Sequence, residues 1–174
     1  MEVELKSDAG NRTLNTAVAV TVVVLSVFMA VTKIKDDNIV QAMQAAKADA
    51  LDTWNEYQAE RLKLRIAQQG LIVDDRQARL DDDVAHYGKE AAALAAKARA
   101  FEASYDVLNF QDDQFDLSDA SLAISLSLAA VSTLTSLWWL LGVSWVFACL
   151  GFLMGAAGLF GGNIHPAWLV SLFT

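Results

Sequence analysis

The chain has 174 residues, of which 55% are hydrophobic, with a mean hydropathy of +0.32 and a net charge of −8. An acidic balance of this size repels phosphate backbones and anionic lipid headgroups, which excludes nucleic acid as a partner. A single cysteine, Cys149, excludes an internal disulfide framework, and His86 and His165 are the only histidines.

Residues 1–13 read as a polar N-terminal tail. Residues 14–32, LNTAVAVTVVVLSVFMAVT, carry no charge over about the length that crosses a bilayer core of roughly 30 Å, which predicts transmembrane helix 1. The run exceeds the roughly 7–15 apolar residues of a cleaved leader, and FMAVTKIK offers no small-x-small cleavage site. Residues 33–119 hold 11 of the 13 Lys and Arg and 18 of the 21 Asp and Glu, a balance of −7.

Within that charged middle, Ile39, Met43, Ala46, Ala50, Trp54, Tyr57 and Leu64 recur at steps of three, four or seven, the mark of an amphipathic helix. Gly70 and the following LIVDD read as a turn near 70–74. Beyond it Leu80, Val84, Tyr87, Ala91, Leu94, Ala98, Phe101, Tyr105 and Leu108 alternate steps of four and three, a heptad seam. Taken as helices, the arms before and after the turn are about 55 and 65 Å long. They predict an antiparallel, coiled-coil-like hairpin outside the membrane, with Trp54 and Tyr57 filling its seam opposite the small Ala91, Ala95 and Ala98 rather than stacking on a ligand.

Two more uncharged runs, 120–141 and 143–160, predict transmembrane helices 2 and 3, separated at Gly142 and followed by an interfacial C-terminal tail at 161–174. Ser118, Ser121, Ser125, Ser132 and Ser136 line one face of the former. The latter carries Gly151 and Gly155, then Gly158 and Gly162, each pair four residues apart. Small residues of this kind let helix backbones approach closely in lipid. None of the spans contains Asp, Glu, Lys, Arg or His, which removes the usual residues of proton relays, ion coupling and voltage sensing. Trp138, Trp139 and Trp145 read as an interfacial belt. Asp112, Asp113, Asp116 and Asp119 precede transmembrane helix 2. They read as helix N-terminal acids facing the dipole, or, in an oligomer, Asp112, Asp116 and Asp119 would form an acidic ring that concentrates cations.

Asp83 and His86 have a carboxylate-x-x-His spacing, with Asp82 and Glu90 nearby, but a metal site needs further ligands on a facing helix, and His86 points outward in the heptad. There is no phosphate-binding glycine loop and no nucleophile with its base. Catalytic, cofactor and metal residues are therefore all expected to be absent.

Asp52-x-Trp54-x-x-Tyr57-Gln58-Ala59 with Lys63, then Phe115-Asp116 ahead of a two-span hairpin, resembles a bacterial membrane-protein family, domain of unknown function 4337. The likeness covers nearly the whole chain. Glu60 departs from it, standing where members usually have Lys, as does the absence of basic residues between the last two spans. The resemblance implies a bacterial inner-membrane protein with the hairpin in the periplasm, and no catalytic residues.

The expected fold is thus all-α: an integral membrane protein of three transmembrane helices with a long extramembrane hairpin. Its expected role is a membrane-anchored scaffold or accessory subunit that self-associates or docks on a larger membrane assembly. The alternative is a passive pore or cation channel formed by an oligomer.

Overall fold

The computed structural model describes the backbone of residues 2–73 and 77–162, and the side chains of residues 12–70 and 81–162. All three described elements are helices: α1 (Glu2–Val73), α2 (Gln77–Thr135) and α3 (Trp138–Phe160). Each is long and apolar enough over part of its length to cross a membrane. The chain divides into two compact units. One comprises residues up to Ile39 and from Phe110 onward; the other comprises Val40–Asn109.

Three boundaries differ from the sequence-based expectation. Helix α1 starts at Glu2, so the polar tail read at 1–13 is already helical. It also runs through Gly70 to Val73, because a helical glycine costs about 1 kcal/mol against alanine without forbidding the conformation. Of the turn read near 70–74, residues 70–73 are helical and 74 lies outside the described residues, as does most of the interfacial tail, with His165 and Trp168.

The third difference is the break between α2 and α3, which lies at Ser136–Leu137 and not at Gly142. Ser136 takes a left-handed φ of 58°, while the Leu137 N–H donates to Ser132 O at 3.3 Å and the Ser132 hydroxyl returns a bond to Leu137 O at 3.0 Å. Gly142 stays inside α3, where an added Cβ would meet nothing within 4 Å.

In the unit formed by the two ends of the chain, α2 and α3 pack antiparallel with a heptad register. Ser118 bonds Gly151 O, Ser125 bonds Ser144, and Ser132 bonds Leu137, seven residues apart on one helix and seven apart in reverse on the other. This register requires the chain to turn immediately after Ser132, which explains why the break precedes Gly142. Helix α1 closes the unit. Leu14 and Val18 cluster with Ala129 and Leu141, and Leu25 with Leu122 and Ala148. Phe28 stacks on Phe152 with ring centroids 4.0 Å apart.

In the Val40–Asn109 unit, Lys47 lies over Tyr105, Trp54 bonds Glu102 and Lys63 lies over Tyr87, so the two segments run antiparallel. On the α1 segment of this unit, Met43, Ala46, Ala50, Thr53 and Ala67 are buried. Trp54 stands beside that line, half-buried, its indole N–H donating to Glu102 Oε1 at 2.8 Å.

Candidate functional site

Residues singled out from the sequence fall into three groups. The seam residues of the Val40–Asn109 unit form the first. Ala91 and Ala98 are buried, and Val84, Tyr87, Leu94, Phe101, Tyr105 and Leu108 are half-buried, while most of the positions between them are exposed. The Leu80 side chain lies outside the described residues. Tyr57 is half-buried, meets Trp54 edge-on at 5.3 Å between centroids and accepts a 2.9 Å hydrogen bond from Arg61 Nη1. His86 is exposed and faces Glu90 on its own helix at 3.5 Å. Among the described residues no group of three His, Cys, Asp or Glu could hold a metal ion.

The serine and glycine faces form the second group. Ser118, Ser125, Ser132 and Ser144 are completely buried. Ser125 and Ser144 exchange bonds, each hydroxyl donating to the other residue's carbonyl at 2.8 Å with the two oxygens 3.0 Å apart. Ser118 donates to Gly151 O at 2.8 Å. Ser121 lies half-buried at the edge of this face. The glycines admit these neighbours. A Cβ on Gly151 would come within 2.6 Å of Leu122, one on Gly155 within 2.7 Å of the Ser118 hydroxyl, and one on Gly158 within 2.8 Å of the Phe115 ring. The sequence reading placed small faces on both helices but did not single out Ser144, the partner that makes the exchange reciprocal.

Asp112, Asp116 and Asp119 form the third group, joined by a residue that sequence reasoning missed. Asp36 on α1 is 3% exposed. Its Oδ2 accepts a 2.7 Å salt bridge from Lys33 Nζ, and its Oδ1 is buried without a hydrogen-bond donor among the described residues. A neighbouring carboxyl can supply that donor only when protonated. Burial, the hydrogen bond to Asp36 and the carboxylates of Asp116, Asp36 and Asp113 together push the Asp112 carboxyl up to about 6. Burial and Asp36 also push Asp116 up, against the pull of Lys33. Asp119 likewise has a buried Oδ1 without a donor.

Beside the acids, the fully buried Gln114 donates from Nε2 to Gly162 O at 2.7 Å, and Gly161, at φ 67°, ends α3. The only signal that could have found Asp36 is the Lys33-x-x-Asp36 spacing, which places an ion pair on one helix face just past an uncharged run.

This arrangement can hold protons and attract cations; its acids lie within α1 and α2 and not at the helix N-terminus read from the sequence, and Gln114 ties α2 to the C-terminal end of α3. It lacks an activated nucleophile or a preorganised oxyanion site among the described residues. A family model described as domain of unknown function (DUF4337) matches residues 14–161. Comparison with curated proteins and with solved structures finds no match.

Proposed function

The chain belongs to the domain of unknown function 4337 family, and from that premise we propose that it is a membrane-anchored helical scaffold or accessory subunit. In this reading it spans a bacterial inner membrane three times, through residues 14–32 of α1, the C-terminal part of α2 and α3. Its Val40–Asn109 unit is a periplasmic, coiled-coil-like hairpin, and it has no catalytic activity.

Two observations support the membrane placement. Val20, Val23, Val24, Val27 and Val31 on α1, and Val146, Leu150 and Leu153 on α3, are 43–62% exposed, an outward apolar surface suited to lipid. Trp138, Trp139 and Trp145, all exposed, sit near the start of α3 where an interfacial belt is expected.

The observation that carries the docking role lies elsewhere. In the charged Val40–Asn109 unit, Leu51, Leu62, Ile66 and Val107 are 59–63% exposed. Leu51, Leu62 and Ile66 recur at steps of eleven and four on one side of α1, an aliphatic side suited to cover by another protein.

The alternative is an oligomeric cation pore, favoured by the Asp112, Asp116 and Asp119 group. Against it, the buried serine hydroxyls are spent on carbonyls within the chain and offer no open polar path. Reconstitution into liposomes separates the two readings. The scaffold reading expects cation flux equal to that of empty vesicles; flux that disappears when the three aspartates are replaced by Asn would establish the pore instead.

A further inference from the structure

Helix α1 carries two heptad lines in the Val40–Asn109 unit. One is the inner line already described. The other is formed by Gln41, Gln44, Ala48, Leu51, Asn55, Gln58 and Leu62, alternating steps of three and four, and all seven residues are exposed. The line contains no charge over 22 residues of a helix that is otherwise rich in charge. From Gln41 to Gln58 its sides have opposite sign: Asp49, Asp52 and Glu56 lie along one, where Lys63, paired with Glu60, follows beyond Leu62, and Lys47 and Arg61 lie along the other. Among the described residues none of Asp49, Asp52, Glu56, Lys47 and Arg61 is in an ion pair, although Lys47 lies over Tyr105 and Arg61 bonds the Tyr57 hydroxyl. An open depression lined by Tyr57, Gln58, Arg61, Leu62 and Arg65 indents its C-terminal end.

We propose that this outer line of α1, from Gln41 to Leu62, is the seam of a parallel homodimer in which it packs on the same line of a second copy. The proposal rests on the scaffold reading and names its partner.

Three features select that partner. A 3-4 spacing of seven residues puts one continuous stripe against an identical stripe, as in a two-stranded coiled coil. Amides both donate and accept, so Gln41, Gln44, Asn55 and Gln58 can each pair with their own counterpart at the same level of a two-fold interface. Leu51 and Leu62 are the two large apolar residues of the line, and Asn55 between them can pair with its own counterpart and so favour the in-register arrangement.

The flanking charges choose the direction. With the copies parallel, Lys47 of one comes opposite Asp52 of the other at the g and e positions, twice per dimer. With the copies antiparallel, the Lys47 and Arg61 flank would face itself. Arg65, next in the line, ends it, because two guanidinium groups would meet across the axis. The amides make this a weak seam in solution, and anchorage of both copies in one membrane raises their effective concentration.

The test is cysteine cross-linking of the full chain in native membranes, in a Cys149→Ser background that removes the one native thiol. Single cysteines are placed at Leu51, Asn55, Gln58 and Leu62, and at the exposed controls Glu56, Lys63 and Ala103. The seam predicts disulfide dimers at the first four and at most about a fifth as much at the controls. Equal cross-linking everywhere, none at the seam, or a disulfide to a different protein would overturn the proposal.

Charge reversal gives a second readout. Lys47→Glu and Asp52→Lys should each lower the Leu51→Cys dimer about fivefold, as two exposed pairs predict, and the double reversal should restore it. Loss without restoration would also overturn the seam. Total mass separates the two levels of the account: an oligomer cross-linked elsewhere sinks the seam and leaves the scaffold, whereas a partnerless monomer sinks both.

Discussion

Asp112 illustrates how a single carboxyl links folding to pH. Its folded-state pKa lies above the ordinary value of 3.8, so the folded chain binds its proton more tightly than the unfolded chain. The stabilisation is complete below about 3.8 and is lost as pH rises through about 6, and Asp116 contributes in the same direction. Thermal melts of the detergent-solubilised chain should therefore show Tm falling between pH 4 and pH 7. Asp112→Asn should flatten that slope and raise Tm at pH 7; an unchanged slope would mean that the carboxyl is not held as described. At Trp54, Trp54→Phe removes an exposed hydrogen bond to Glu102, on the order of 0.5–1 kcal/mol, and keeps a ring beside Tyr57, so the variant should fold normally by circular dichroism.

At the scale of elements, the α2–α3 pair is held by small side chains that each do a specific task. Gly151→Ala drives a Cβ into Leu122 Cγ at 2.6 Å and should destabilise by about 1–3 kcal/mol. Gly142→Ala, in the same helix but facing open space, should stabilise by about 0.5–1 kcal/mol. Unfolding of the two variants in mixed micelles compares them directly, and equal effects would contradict the packing. Ser125→Ala and Ser144→Ala should each cost about 1 kcal/mol, with the double variant costing about their sum, because each hydroxyl donates to a main-chain carbonyl that the other substitution leaves in place.

Much of this element scale was legible in the sequence, since charge-free runs and 3-4 spacings depend only on which residues repeat. The turn at Ser136 was not. No glycine or proline marks it, and it is set by the Ser118, Ser125 and Ser132 register against α3, a long-range match that a local reading cannot weigh against a nearby glycine. The outer line of α1 was missed for a different reason: amides look solvated when read alone, and only its exposure beside a filled inner line shows that the helix has a second organised face. Asp36 escaped notice because its importance comes from Asp112 and Asp116, more than 70 positions away in the chain.

The whole molecule has an apolar exterior on one unit and, on the charged unit, bare leucines and an exposed heptad line. Both surfaces are suited to being covered, the first by lipid and the second by protein. Among the described residues, buried serines bonded to carbonyls and Gln114 bonded to Gly162 hold α2 and α3 together, and Lys33 pairs with Asp36 within α1. A scaffold needs such internal closure, because hydroxyls and carboxylates left open within a span would carry water and ions. Family membership is compatible with this role and assigns no other.

The most direct measurement is the native mass of the full chain after gentle extraction with its lipids. The account predicts a defined species of at least two 18.9 kDa chains, alone or with a stoichiometric partner. A monodisperse 18.9 kDa monomer, without a partner at any extraction condition that preserves the fold, would contradict it.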